Sequence, residues 1–265
     1  MISLRKALAV LALLAVVALA LVWFLPARWA LPWIEPQLHG LHLARVHGSV
    51  WNGDAGDVLD VDGRRLGAAR WQLSRRALLG EPHAQLWFDG AQLVFSGSLR
   101  RAAEGRVEAE KWRVRADLAS LAIPSTVPWG RPLGELELHI DHAVLQGGWP
   151  LQLQARWHWH RAATRTARGD VPLGEIRGQA QAQGGLIRIT WQDDGEGPLQ
   201  TRGDLQLSPL GWRADGTLRA REPAPALRRW LARLGPAAPD GGVHIRQRGG
   251  LAANPSPTPP GGALP

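Results

Sequence analysis

The stretch LQLQARWHW, residues 151–159, alternates strictly between apolar and polar side chains. Successive side chains of a β-strand point to opposite faces of a sheet, so this period of two predicts a half-buried strand. The stretch ELELHI, residues 135–140, alternates in the same way. Shorter alternating runs recur along the chain between glycine-rich turn signals. This pattern predicts a mainly β fold, an extended antiparallel, curved sheet.

The turn signals are short dipeptides in which glycine supplies a positive φ. Asn52 with Gly53 is the strongest of them, and we predict a tight turn there with Trp51 packed beside it. The other predicted turns are Asp62 with Gly63, Gly147 with Gly148, Gly184 with Gly185, Asp194 with Gly195, Asp215 with Gly216, and Gly241 with Gly242. The tetrapeptides LGEL, residues 133–136, and LGEI, residues 173–176, indicate one hairpin used twice.

One amphipathic helix is predicted, over residues 224–234. Its apolar residues follow the spacing i, i+3, i+4, i+7, and they are Leu227, Trp230, Leu231 and Leu234. Gly235 follows at the position of a C-terminal cap. We expect this helix to cover the apolar side of the sheet; a helix lying on a membrane surface is the alternative.

Residues 7–25 are nineteen consecutive apolar residues, enough for one membrane-spanning helix. Arg5 and Lys6 precede the run, so the positive-inside rule predicts residues 1–6 in the cytoplasm and the main domain in the periplasm. A cleaved signal peptide, with Ala18 to Ala20 as the cleavage site, is the alternative. We further predict a stiff proline- and tryptophan-rich exit segment over residues 26–40, a β domain over 41–251 and a disordered proline-rich tail over 252–265.

The composition limits the chemistry of the protein. The chain has no cysteine, which excludes thiol catalysis and cysteine-ligated metals. Its net charge is +8 and is carried almost wholly by arginine. In a membrane-tethered periplasmic domain this charge favours anionic lipid or acidic protein surfaces, and we predict no nucleic-acid partner. A GC-rich genome that favours arginine codons is the alternative origin of the charge.

No constellation of reactive side chains emerges from the spacing. His158 and His160 project from one strand face, but no third ligand lies near them in the sequence, so we predict surface histidines and no metal site. Ser49 lacks the surroundings of a nucleophile, and Asp193 with Asp194 suits a turn. We therefore predict a non-enzymatic protein without a cofactor.

The order of several motifs resembles the GspN family, the N protein of the type II secretion system. These motifs are VHGSVWNG (46–53), WQL (71–73) with LL (78–79), WGRPLGEL (129–136), PLGEI (172–176), GPLQTRG (197–203), GTL (216–218) and the predicted helix through Gly235 to Asp240 and Gly241. We interpret the glycines and tryptophans among them as structural residues: Gly48, Val50, Trp51, Asn52, Gly53, Trp71, Gly134, Gly174, Gly203, Gly216, Gly235 and Gly241.

The resemblance implies a single-pass inner-membrane subunit whose periplasmic β domain contacts the outer-membrane secretin and inner-membrane platform components during export of folded proteins. It supplies no catalytic residues. A similar fold in AsmA-like envelope proteins provides the alternative, a lipid-handling protein with a curved β groove. Gln, His and Arg on the sheet face favour the first hypothesis, because a lipid carrier needs a continuous apolar surface.

Overall fold

The computed structural model describes residues 23–121, 130–222, 224–239 and 241–250. These residues form thirteen β-strands, whose order in the sheet is their order along the chain. The strands are His42–Gly48 (β1), Asn52–Leu59 (β2), Arg65–Leu73 (β3), His83–Gly90 (β4), Leu93–Arg101 (β5), Val107–Asp117 (β6), Arg131–Gln146 (β7), Trp149–Thr166 (β8), Gly169–Gln183 (β9), Leu186–Asp193 (β10), Leu199–Ser208 (β11), Gly211–Ala220 (β12) and Val243–Gly250 (β13). The predicted mainly β, antiparallel fold is confirmed.

Two α-helices and three short 3-10 helices complete the described residues. The helices are Ala27–Ile34 (α1) and Pro225–Leu234 (α2). The 3-10 helices are Glu35–Leu38, Arg75–Leu79 and Ala103–Gly105. The chain divides into two compact units, Met1–Trp112 and Arg113–Pro265.

In the first unit, strands β1 to β5 form consecutive antiparallel hairpins. Tryptophan rings lie flat over glycines of neighbouring strands. A Cβ atom at Gly97 would overlap the ring of Trp112, whose indole nitrogen donates a hydrogen bond to the Ser98 carbonyl at 2.9 Å. Glycine weakens an isolated strand, but here it provides the space that lets a large ring bury its face.

The turn predicted at Asn52 and Gly53 is wrong, because both residues lie inside β2. The chain reverses one step earlier, where Gly48 takes a φ of 80° and the Ser49 amide donates to the Asn52 carbonyl at 2.9 Å. Gly53 is required for a different reason. A Cβ atom there would lie 2.5 Å from the ring of Trp71.

The second unit is built on the longest strands, β7 and β8, whose antiparallel pairing ends where Gln146 faces Trp149. The predicted turns between β7 and β8 and between β9 and β10 are confirmed. Gly147 and Gly148 have φ of 57° and 81°, and Gly184 and Gly185 have φ of 59° and 82°. Positive φ at both central residues is the geometry of a type I′ hairpin, which matches the twist of the strands. The two hairpins confirm the repeated unit predicted from the LGE motifs.

Another predicted turn, at Asp215 and Gly216, is wrong. Both residues lie within β12, and Gly216 pairs with Gly203 of β11. The two glycines lie beneath the ring of Trp191 from β10. The chain turns instead between Ser208 and Gly211, which are paired.

Helix α2 confirms the predicted amphipathic segment to within a residue and covers one face of the second unit. Leu227, Trp230 and Leu231 are buried against apolar residues of several strands: Ala162, Val171, Leu173, Ile176, Leu199 and Val243. Gly235 follows the helix directly, but its φ of 170° is extended backbone, so the predicted left-handed cap does not form. The helix buries its apolar face in the sheet, as expected.

Helix α1 occupies the predicted exit segment and was not expected from its prolines. Pro26 is the N-cap of α1, and Pro36 lies in the first turn of the next 3-10 helix, where no backbone N–H is needed. Only Pro32 lies inside the helix. Ala27 and Ala30 are buried, and α1 contacts β1.

No helix within the described residues is long and apolar enough to cross a membrane. The predicted span over residues 7–25 begins before Trp23 and lies almost wholly outside those residues, as does the predicted tail.

Asp193, at the end of β10, joins three segments of the second unit. Its carboxylate accepts hydrogen bonds from the Thr201 amide at 2.7 Å and from the Arg221 guanidinium at 2.5 Å. Burial opposes ionisation, but Arg221 and the amides of Thr201 and Gly195 together hold the pKa of Asp193 below its usual value of 3.8.

We expect Asp193→Asn to destabilise the protein by about 1–3 kcal/mol at pH 7, because the Arg221 guanidinium loses the anionic partner of its charge-assisted bond. The folded-state pKa is lowered, so this contribution is complete above the unfolded pKa and is lost as the pH falls below about 3.8. Chemical denaturation of both proteins at pH 7 and pH 3 measures the difference, and Glu196→Gln, at an exposed position, is the control. An equal difference at both pH values would contradict the assignment.

Candidate functional site

Three neighbouring strands of the second unit each contain an irregular residue, and these residues lie side by side across the sheet. Gly134 of β7 and Gly174 of β9 both have φ of 103°, and Arg161 of β8, between them, has φ of 47°. The β7–β8 and β8–β9 registers shift here. We call Gly134, Arg161 and Gly174 the bulge row. A bulge changes which face the following side chains occupy, and buried Leu173 and Ile176 on one face leave Glu175 for the other.

Glu175 therefore lies on the sheet face that carries His158 and His160. Oε2 of Glu175 is 3.0 Å from Nε2 of His158 and 3.0 Å from Nδ1 of His160. The two imidazole rings are stacked at a tilt, with centroids 3.8 Å apart. We call His158, His160 and Glu175 the His–Glu cluster. Each of these side chains is about one third exposed, although Nε2 of His158 itself is buried.

A second layer of charged groups surrounds this cluster. The backbone amide of Arg161 donates to Oε1 of Glu175 at 2.7 Å. Oε2 of Glu137 lies 3.4 Å from Nε2 of His160. Arg115 donates to Glu137 at 2.9 Å, and this bond, opposed by burial and assisted by His160, lowers the pKa of Glu137 from its usual value. The carboxylate of Glu137 is thereby kept ionised beside the imidazole.

The sequence identified the two histidines but not their partner. Glu175 is fifteen residues from His160 in the chain, and the two meet only because β8 and β9 are paired. The LGE motifs were interpreted as the start of a repeated hairpin. In the structure they also supply the bulge glycines and place Glu135 and Glu175 on either side of β8. Glu135 binds Arg115 at 2.8 Å.

A second surface lies at the turn ends of β10 to β13. Leu186, Leu210 and Trp212 are 46%, 64% and 39% exposed, which is high for large apolar side chains. With Arg213 and Arg248 they line a groove of about 540 Å³. We call these five residues the edge patch. Trp212 lies over Gly249 of β13, where a Cβ atom would be 2.6 Å from the indole nitrogen.

The edge patch borders strand β13, the last in the strand order. Among the described residues, the outer side of β13 carries a bridge only at its first residue, from Val243 to Ala237. Beyond Val243, backbone N–H and C=O groups of β13 face outwards. Such an edge can accept a further strand from another chain.

A third surface consists of aromatic side chains around α1. Phe24, Trp29 and Trp33 are 73%, 59% and 73% exposed. Trp29 and Trp33 belong to α1, whose Ala27 and Ala30 are buried, and Phe24 precedes the helix. Exposed tryptophans in this number are typical of a protein–lipid or protein–protein boundary.

The predicted structural motif residues lie at turns, bulges and tryptophan contacts. Gly48 and Gly241 occupy turns with φ of 80° and 76°. Trp51 is buried, with 6% of its surface exposed, and Trp71 donates to the Val50 carbonyl at 3.2 Å. None of these residues belongs to the His–Glu cluster or to the edge patch.

The described residues thus form an antiparallel sheet with exposed aromatic and arginine surfaces. A family model described as "Type II secretion system (T2SS), protein N" matches residues 39–246. The chain belongs to this family and is therefore a component of the type II secretion system. No curated protein and no solved structure matches the chain.

Proposed function

We propose that this chain is a non-enzymatic inner-membrane subunit whose β domain lies in the periplasm and binds other secretion-system proteins during export of folded proteins across the outer membrane. Family membership already implies partners within the secretion system. The observation that carries the finer proposal is the edge patch beside the outer side of β13, where no described residue pairs with the strand beyond Val243.

The edge patch has the chemistry of a protein-binding hot spot. Trp and Arg are the residue types that most often dominate such interfaces. Arg213 and Arg248 make no ion pair within the described residues, whereas Arg246 of the same strand as Arg248 binds Asp215 at 3.0 Å. We propose that an extended, acidic segment of the secretin or of a platform component adds to β13, with its carboxylates facing these arginines.

The membrane location is proposed from two features that adjoin each other in the chain. Residues 7–25 are apolar and long enough to span a bilayer. The exposed aromatic side chains around α1 follow immediately, as tryptophans do at membrane interfaces. The cation of Arg75, 4.5 Å from the centre of the Trp23 ring, would then face lipid head groups.

Truncation of the tryptophan or reversal of an arginine charge in the edge patch tests the partner-binding proposal. In a deletion strain complemented with Trp212→Ala or Arg248→Glu, we expect secreted enzymes to accumulate in the periplasm. Loss of a hot-spot contact weakens binding by about 2 kcal/mol, which is roughly 30-fold. The measurement is the ratio of extracellular to periplasmic enzyme activity.

Leu79→Ala is the matched control, since Leu79 is 84% exposed and lies in the first unit. It should secrete normally. Wild-type secretion by both edge-patch variants would contradict the proposal. Stoichiometric phospholipid in detergent-free preparations, with normal secretion in the deletion strain, would instead support the lipid-handling alternative.

The topology is tested by a reporter fused after residue 250. We expect alkaline phosphatase at this position to be active, because it folds only outside the cytoplasm, and a reporter restricted to the cytoplasm to be silent. A mature N-terminus near Val22 by mass spectrometry would identify residues 1–21 as a cleaved signal. The opposite reporter pattern would contradict the proposed orientation.

A further inference from the structure

We propose that the His–Glu cluster is a metal site that binds one Zn²⁺ through Nε2 of His158, Nδ1 of His160 and Oε2 of Glu175. The three ligand atoms lie within 4.8 Å of one another. Two imidazoles and one carboxylate are an established ligand set for zinc, with a fourth position left for water or another ligand. The proposal does not depend on the role in secretion.

The distances suit an ion of this size. Tetrahedral zinc bonded at ~2.0–2.1 Å holds its ligands about 3.3 Å apart. Oε2 of Glu175 is 3.0 Å from each imidazole nitrogen, so each of these two pairs needs to separate by only a few tenths of an ångström. Both histidines come from one strand and Glu175 from the next, and the ion therefore links β8 to β9.

The hydrogen bonds leave the proposed ligand atoms available. Nε2 of His158 is buried and makes no hydrogen bond within the described part of the chain. Oε2 of Glu175 lies 3.0 Å away, at ion-pair distance, without a hydrogen bond to this nitrogen. A buried nitrogen that lacks a hydrogen bond is costly in a protein. A cation between the two atoms would satisfy both.

The surrounding groups have the arrangement found around protein-bound zinc. A histidine that binds a metal through one nitrogen commonly donates its other N–H to a carboxylate, which fixes the ring. Here Nδ1 of His160 faces the proposed ion, and Nε2 faces Glu137 at 3.4 Å. Oε1 of Glu175 is held by the Arg161 amide, which directs Oε2 towards the histidines.

The bulge row is what makes this geometry available. Without the irregularity at Gly174, the alternation of β9 would place Glu175 on the face that carries buried Leu173. Without the irregularity at Arg161, the amide that holds Glu175 would belong to the regular strand ladder. The three irregular strands therefore build one site.

The test uses the full chain, purified in detergent without a histidine tag and stripped of metal with EDTA. Titration with Zn²⁺ by calorimetry, and metal analysis after dialysis, should give one ion per chain. His158→Ala and Glu175→Gln should lose this ion. Glu137→Gln should retain it with roughly 10–100-fold lower affinity, as expected for an outer carboxylate.

His244→Ala is the matched control, because His244 is exposed on β13, outside the cluster, and it should bind zinc like the wild type. Circular dichroism and melting in EDTA establish that each variant is folded, and the near-isosteric Glu175→Gln serves if His158→Ala does not fold. Absence of bound zinc in the wild type, or equal binding by His158→Ala, Glu175→Gln and His244→Ala, would overturn the proposal. Normal zinc binding with failed secretion rescue by edge-patch variants would support both proposals.

Discussion

Leu227→Ala is expected to destabilise the protein by about 2–5 kcal/mol, which is enough to unfold a domain of ordinary stability. Leu227 of α2 is 1% exposed and packs against residues of the second unit, including Leu199, which is also 1% exposed. Removal of three carbons leaves a cavity that the surrounding strands cannot fill, because long hydrogen-bonded strands do not collapse locally. The midpoint of chemical denaturation of the full chain measures the loss.

The control removes the same atoms from an exposed position in the same unit. Leu210→Ala should change stability by less than about 0.5 kcal/mol, since Leu210 is 64% exposed. If secretion is assayed in parallel, any secretion defect of Leu210→Ala should result from the altered edge patch and not from a loss of stability. Equal destabilisation by the two substitutions would show that α2 does not cover the core of the second unit.

The sequence predicted correctly those helices, strands and turns whose pattern lies within one continuous stretch of the chain. Helix α2 shows its four apolar residues at helical spacing, and β7 and β8 show strict alternation, so both could be identified from the sequence. The Gly-Gly turns succeeded for the same reason, because positive φ is a local requirement. The predicted strands were too short: residues 135–140 and 151–159 belong to strands of 16 and 18 residues.

The structural role of a glycine is ambiguous in the sequence when the side chain that requires the glycine lies on another strand. Gly53 and Gly216 each follow Asn or Asp and were interpreted as turn residues. In the structure they make room for Trp71 and Trp191, which approach from a neighbouring strand or the next one. No dipeptide signal distinguishes a glycine that turns the chain from a glycine that accommodates a ring. Helix α1 is not evident from the proline content of its segment, because proline disfavours a helix interior but is tolerated at a helix start, where Pro26 and Pro36 lie.

The candidate metal site depends on the register of β8 against β9. Thr166 pairs with Gly169 across a two-residue turn. Counting equal steps back along β8 and forward along β9 places His160 opposite Glu175. That turn contains Ala167 and Arg168, which carry no recognised turn signal, so the sequence alone did not indicate the register of β8 against β9. The edge patch, in contrast, depends on which strand ends the sheet, and that requires the whole strand order.

The contact between the Trp191 ring and the glycines beneath it, Gly203 and Gly216, should make a larger side chain at residue 203 strongly destabilising. A Cβ atom at Gly203 would overlap the Trp191 ring and lie 2.6 Å from the backbone oxygen of Asp215. Because one of these neighbours is backbone, relief requires strands to move apart. We expect Gly203→Val to destabilise the protein by about 3 kcal/mol, at the upper end of measured overpacking effects.

Alanine at the same position distinguishes this steric cause from strand propensity. Glycine inside a strand is normally less stable than alanine by about 0.5–1 kcal/mol, so propensity alone predicts that Gly203→Ala stabilises. Overlap with Trp191 predicts the opposite sign. Gly216→Ala is the graded control, because its Cβ atom would lie 3.0 Å from the same ring and 3.4 Å from the nearest backbone oxygen. Its effect should be smaller than that of Gly203→Ala.

A double-mutant cycle with Trp191→Ala isolates the contact. If the ring causes the loss, Gly203→Val should cost about 0.5–3 kcal/mol less in the Trp191→Ala background than in the wild type. The indole nitrogen of Trp191 also bonds Thr201 Oγ1 at 3.2 Å, and that contribution is lost in both arms of the cycle and cancels. Strict additivity of the two substitutions would mean that backbone crowding at Asp215, and not the tryptophan ring, excludes a side chain from residue 203.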